Sequence, residues 1–396
     1  MNKQLIISAP NSNAGKTTIT LGLLRLLKNK KITVQPFKVG PDYIDPKFHE
    51  LACAKVGVNL DLFMMKEDEI NTCLSFYGKD TQVNCVEGVM GLFDGAKKDQ
   101  GSTAELAKKL KTPVLMVIDA KAVAYSVAPL IQGFVNFDKE VDIMGVVFNR
   151  VGSERHYLML KEACEDIGVH CFGYLSNLKN IAIPSRHLGL NILEIEKFDT
   201  VIDQIADELE KTVNWKAILG ASKEIETKAV SLKQTVQERS IKFAVAKDEA
   251  FNFIYPQNIA AMKQLGKVHF FSPIHDTKIP DSDFIYFPGG YPESYLKELS
   301  SNKEMLTSIK EFLSVRSNMV SSHVPPGASQ RPFRNSSIVS GVPTDMAPKS
   351  ASIRRPNPDS TLPAPISTIV STPNSFITAG RLGQVCSGRR WQILNS

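Results

Sequence analysis

An α/β fold built on a parallel sheet is what this sequence predicts, and three observations point to it. Short apolar runs alternate with amphipathic stretches over roughly the first 195 residues. A second stretch of the same kind begins after residue 240. Apolar residues make up 43% and charged residues 22%, the balance of a soluble chain with a sizeable core. At 396 residues the chain is too long for one ordinary domain. No apolar run reaches the length of a membrane span, and Leu5-Ile6-Ile7 behind Met1-Asn2-Lys3-Gln4 is too short for a secretory signal. A cytoplasmic protein is therefore expected.

Strands are expected over residues 5–8, 34–37, 83–87, 114–119, 143–149 and 171–174, each a short buried run. Helical periodicity covers 16–27, 104–110, 122–134 and 154–167. Strand, helix and strand in repetition mean parallel pairing with both sheet faces covered. Residues 215–240 are polar and Lys/Glu-rich and read as a linker with room for one helix. A second unit follows: strand 242–246, helix 253–265, strands 267–271 and 284–287, and helix 295–313. The expected domains are thus 1–214, a linker 215–240, a second domain 241–314 and a tail 315–396.

The tail differs in kind. Residues 315–396 hold 15 Ser and 10 of the 22 Pro, and Arg replaces Lys, with 8 of the 13 Arg against a single Lys. Such a stretch cannot offset its conformational entropy by burial, so disorder is expected. The swap of basic residue is what translation in a different reading frame would produce. It also explains the net charge of +6: residues 1–314 hold 38 basic against 39 acidic side chains, the tail 9 against 2. A near-neutral body gives no ground for nucleic-acid binding. The cysteines, Cys53, Cys73, Cys85, Cys164, Cys171 and Cys386, show no zinc spacing and read as free thiols.

Ser8-Ala9-Pro10-Asn11-Ser12-Asn13-Ala14-Gly15-Lys16-Thr17-Thr18 lies between the first strand and the first helix. A turn there aims backbone N–H groups and a helix N-terminus at phosphate. Pro10 stands where the strict phosphate-loop pattern has Gly, so this is a variant. Lys16 would bridge the β- and γ-phosphates and Thr17 would offer its hydroxyl to Mg²⁺. Asn13, Ala14, Gly15, Lys16, Thr17 and Thr18 are the candidate nucleotide-binding residues.

Acidic stations follow the next strands. Asp42 and Asp45 sit in a turn stiffened by Pro41 and Pro46, either as carboxylates reaching one metal-phosphate centre or as ordinary turn residues. Glu87 stands at the tip of a parallel strand, where ligands bind, and is a hard-oxygen ligand for Mg²⁺; Asp94 is either a partner or part of a plain Asp-Gly turn. Asn149 could read a nucleobase edge, and Arg155 or His156 could hold anions; alternatively this segment is a helix start capped by Ser153. Arg186 and His187 lie in a loop suited to a polycarboxylate.

Together the stretches NSNAGKTT, QPFKVGPDYIDPKFH, NLD at 59–61, VEGVMGLFDG, GSTAELAK, NRVGSERH, RHLGL, HFFSPIHD and YFPGGYPE resemble the cobyrinic acid a,c-diamide synthase family over about residues 1–314. The resemblance implies a P-loop, dethiobiotin-synthetase-like first domain and a class I glutamine amidotransferase second domain. It implies ATP and Mg²⁺ as cofactors, activation of corrin a and c carboxylates as acyl phosphates, and amidation by glutamine or ammonia. Lys16, Asp42, Asp45 and Glu87, read from motif and position, would then be catalytic, with Thr17, Asp42 and Glu87 metal-binding and Asn149 nucleotide-binding; the resemblance adds Lys38 and Asp94 to the reacting centre. Tyr43, Ile44, Arg155, Arg186 and His187 would touch substrate, and Gly289-Gly290 would form an oxyanion-hole turn. The expected partners are a corrinoid polycarboxylate and glutamine or ammonia, with no nucleic acid, no membrane, and a homodimer as the candidate assembly.

Beyond residue 314 the resemblance stops. No Cys-Gly-Gly elbow follows, Cys386 is the tail's lone cysteine, and His323 its lone histidine, so the amidotransferase domain is expected to be incomplete and no glutaminase nucleophile is assigned. Three other readings stand beside the corrin ligase: a nickel-sirohydrochlorin a,c-diamide synthase, a P-loop ATPase switch, and an inactive truncated synthase.

Overall fold

The computed structural model describes residues 2–177, 197–225, 241–321 and 368–370. They belong to two compact units, within 1–232 and 233–396. Outside the described residues lie the Arg186-His187 loop, residues 226–240, His323, Cys386 and nearly all of the expected tail.

In the first unit the chain runs β1 (Asn2–Ser8), α1 (Lys16–Asn29), β2 (Val34–Val39), α2 (Asp45–Cys53), β3 (Val58–Leu60), α3 (Glu67–Gly78), β4 (Val83–Glu87), α4 (Thr103–Leu110), β5 (Val114–Asp119), α5 (Val127–Phe137), β6 (Ile143–Val151), α6 (Glu154–Asp166), β7 (Cys171–Ser176), α7 (Asp199–Thr212), α8 (Trp215–Ala221) and β8 (Lys223–Ile225). Seven strands are parallel in the order β3-β2-β4-β1-β5-β6-β7, and β8 pairs antiparallel with the start of β1. Alternate residues feed two cores, Ile6, Phe37, Val86 and Met116 on one face, Leu5, Ile7, Cys85 and Val117 on the other, which is why apolar side chains point to both sides of the strands. The chain leaves β1 toward β2 on one side and later toward β5 on the other. In open parallel sheets ligands bind at such a reversal, here the carboxyl ends of β4 and β1.

Two elements have little sequence signal. β3 has three residues, too few for a pattern, and α2 ends on Ala54 in the left-handed region (φ 56°) rather than on glycine. The helix expected from 122 starts at Val127, because Ala122 turns left-handed (φ 60°). The expected linker is shorter than predicted: α8 packs Ile218 into the core and β8 completes the sheet, so residues 215–225 belong to the first unit. Buried Arg25 ties α1 to the end of α2 through the Leu51 and Ala52 carbonyls, and to α7 through Asp199 and Asp203.

The second unit contains β9 (Ile241–Ala246), β10 (Phe251–Phe253), α9 (Pro256–Leu265), β11 (Gly266–Phe271), β12 (Phe284–Phe287), β13 (Gly289–Gly290), α10 (Leu296–Ser301), α11 (Lys303–Ser321) and β14 (Thr368–Val370). The sheet order is β11-β9-β12-β14, parallel except for β14. The helix expected from 253 begins three residues later, since Phe251–Phe253 pairs with β13. The helix expected over 295–313 breaks at Asn302, whose amide donates to the Pro273, Ile274 and Asp276 carbonyls while its oxygen caps Met305. Gly289 and Gly290, expected as a turn, form a strand instead. A Cβ on Gly290 would stand 1.9 Å from the Ala250 carbonyl oxygen. Gly290→Ala should therefore cost about 1–3 kcal/mol by overpacking, read as a lower denaturation midpoint of this unit. An unchanged midpoint would disprove that closeness.

Among the described residues Cys53, Cys73, Cys85, Cys164 and Cys171 are free thiols, and no helix is long and apolar enough to cross a membrane.

Candidate active site

The phosphate loop fills the turn between Ser8 and Lys16. Asn13 (φ 64°) and Gly15 (φ 96°) take the left-handed conformations that curl it, and Gly15 caps α1. A Cβ on Gly15 would lie 1.9 Å from the Asn149 amide nitrogen. Lys16 is buried, and its ammonium donates to the Asn11 carbonyl at 3.3 Å and to that of Met90 in the loop after β4. Thr17 donates its hydroxyl hydrogen to Glu87 Oε1 at 2.6 Å.

Next to the loop lies a charge cluster centred on the fully buried Lys38 and Glu87. Parallel register sets Ile7, Lys38 and Glu87 side by side on β1, β2 and β4. Lys38 Nζ lies 2.6 Å from Asp45 Oδ2, 3.1 Å from Glu87 Oε1 and 3.9 Å from Asp42 Oδ2. His49, four residues after Asp45 on α2, places Nε2 2.6 Å from Glu87 Oε2. Burial would push the Glu87 carboxyl up, but the Lys38 ammonium and the His49 hydrogen bond outweigh it and hold the group below its ordinary value. Three carboxylates around one ammonium leave an excess of negative charge.

Of the expected residues, Thr17, Lys38, Asp45 and Glu87 are linked directly, and Lys16 precedes Thr17 in the loop. Asp42 is both turn and cluster residue: its Oδ1 accepts from the Ile44 and Asp45 N–H groups while Oδ2 turns to Lys38. Tyr43 and Ile44 are half-buried between the two aspartates. Exposed Asp94 accepts from the Gly91 N–H and holds its own turn. Asn149 has much of its amide committed, Nδ2 to the Ala14 carbonyl and Oδ1 to the Arg150 N–H, so it ties the loop to β6. Ser153 caps α6 through the His156 N–H. His156 itself is pinned, accepting at Nδ1 from Gly152 and donating at Nε2 to the Val123 carbonyl; this favours the capped-helix reading. Arg155 stays exposed on the first turn of α6.

His49 is the residue that sequence reasoning missed. Its spacing from Asp45 in a segment opening Asp-Pro was the available signal, since residues four apart share a helix face.

Replacing Lys16 removes the cation of the phosphate loop, a charge-assisted contact worth about 1.5–3 kcal/mol. Lys16→Ala should weaken MgATP binding on the order of ten- to a hundred-fold in a calorimetric titration. Parent-like affinity would refute the loop's role.

Comparison with known proteins agrees with this geometry. Residues 5–190 match the CobQ/CobB/MinD/ParA nucleotide binding domain, and residues 242–321 the CobB/CobQ-like glutamine amidotransferase domain. The cobyrinate a,c-diamide synthase of Caldanaerobacter subterraneus subsp. tengcongensis is 39% identical over 317 residues, 78% of this chain and 70% of that one. Those of Listeria innocua and Methanococcus vannielii are each 40% identical, over 78% of this chain and 70% and 72% of theirs. The chain belongs to the cobyrinate a,c-diamide synthase family. Kinship with that ligase family spans both units, which a one-domain ATPase switch would not explain. The amidotransferase match extends to residue 321, seven beyond the end expected from sequence.

Proposed function

We propose that this chain amidates the a and c carboxylates of cobyrinate with ATP, through an acyl phosphate. The carrying observation is the Lys38, Asp45 and Glu87 cluster beside Lys16 and Thr17, at the carboxyl edge of β1, β2 and β4. Thr17 Oγ1 and Glu87 Oε1, 2.6 Å apart, fit Mg²⁺ as a hard-oxygen pair, with Asp42 the third candidate. Among the described residues no three His, Cys, Asp or Glu side chains build a metal cage. That is the usual state of a Mg²⁺ site, which draws further ligands from water and phosphate. Bound there, Mg²⁺ would neutralise charge on the β- and γ-phosphates.

A carboxylate is a poor electrophile. Lys16 and the loop N–H groups hold the triphosphate, and Lys38 offsets charge as a corrin carboxylate oxygen attacks the γ-phosphorus and ADP departs. Ammonia then attacks the acyl carbon, the C–O bond to phosphate breaks, and the nitrogen loses a proton to leave the amide. Tyr43 and Ile44, between Asp42 and Asp45, would meet the corrin.

Purified protein given MgATP, ammonium and cobyrinate labelled with heavy oxygen in its carboxylates should release labelled inorganic phosphate, one per amide. Amide formation with unlabelled phosphate would rule out the acyl phosphate. No amide under any nitrogen source would rule out the ligase reading.

A further inference from the structure

Helix α2 carries two members of the buried cluster, and we propose that His49 is the positioning residue that holds Glu87 for the Mg²⁺-nucleotide site. The inference rests on the reading of Glu87 as a Mg²⁺ carboxylate. A carboxylate that turns about its last bond exchanges its two oxygens, so a site needing one particular oxygen must tie the other. Glu87 is divided in this way. Oε1 takes the Thr17 hydroxyl at 2.6 Å and the Lys38 ammonium at 3.1 Å, on the phosphate-loop side. Oε2 takes His49 Nε2 at 2.6 Å, on the α2 side.

The imidazole is itself held. His49 is 0% exposed, one helical turn after Asp45, on a helix whose far end Arg25 fastens through the Leu51 and Ala52 carbonyls. Its other ring nitrogen, Nδ1, has no hydrogen-bond partner among the described residues. A residue placed there only to fill space would be apolar and would bury no orphaned nitrogen. The imidazole therefore acts through Nε2, and the orphaned Nδ1 is the burden it carries. Through His49 the helix that begins at Asp45, beside the Tyr43-Ile44 turn, is bonded directly to the carboxylate facing Thr17. Partners of ligating groups tune a metal site nearly as strongly as the ligands do.

The test is ATP binding by calorimetry with and without Mg²⁺, a readout independent of turnover. His49→Ala should lose about 10- to 100-fold of the affinity gain that Mg²⁺ confers, with metal-free ATP binding unchanged. His49→Gln, whose amide N–H can donate to Oε2, should keep most of the gain. If the alanine variant fails to fold, His49→Phe fills the ring volume without a donor and should lose the gain that His49→Gln retains. Equal gains in the phenylalanine, glutamine and parent proteins would overturn the proposal. Glu87→Gln separates the two levels. If it loses the gain while the His49 variants keep it, only the positioning role falls; if it keeps the gain, the metal assignment of Glu87 falls, and this inference with it.

Discussion

With cobyrinate and MgATP, this chain is expected to form amide from ammonium and none from glutamine as sole donor. Loop, Lys38, acidic cluster and Asn149 tie are assembled in one unit. Glutamine hydrolysis needs a thiolate with a paired base, and no cysteine occurs between Cys171 and Cys386. Gly289 and Gly290, the expected oxyanion donors, are engaged in a strand pair. Donors aimed at an oxyanion contribute nothing where no attack creates one. Losing the nucleophile of a hydrolytic triad costs on the order of a million-fold in kcat, so the difference between donors should be all or none. Mass spectrometry of the corrin product and assay of released glutamate decide it. Glutamine-dependent amidation by this chain alone would show that Cys386 or another thiol serves as nucleophile.

Glu87→Gln should reduce amidation by about a hundred- to a thousand-fold, comparable to deleting one preorganised group at a developing charge. The sequence alone would have this variant keep its thermal midpoint. The structure argues otherwise, because Glu87 is 0% exposed and bonds Lys38, His49 and Thr17 together. Neutralising it weakens charged hydrogen bonds worth about 1.5–3 kcal/mol each, though Lys38 keeps Asp45 at 2.6 Å. A carboxyl held below its unfolded value contributes stability above the unfolded pKa and loses it as pH falls through the folded one. The stability gap between parent and Glu87→Gln should therefore be full at neutral pH and narrow once pH drops below the ordinary carboxylate range. A gap independent of pH, or parent-like turnover, would mean that Glu87 is a strand-end residue without a charge role.

Strand-helix alternation, the loop from Ser8 to Thr18 and the acidic stations were readable from sequence, since each is a local pattern whose physics spans a few residues. Apolar period, turn chemistry and a lysine before a helix need no knowledge of neighbours. Family kinship came from the same segments. Tertiary structure alone decided which stations meet. Parallel register placed Lys38 against Glu87, and the β2-β4-β1 order placed both beside Thr17, through contacts 49 and 70 residues apart in sequence. The same long-range packing recruited His49, tied Asn149 to Ala14 and made a strand of Gly289-Gly290. Local propensity cannot encode such pairings, because they depend on strand order and on the burial of unlike segments against one another.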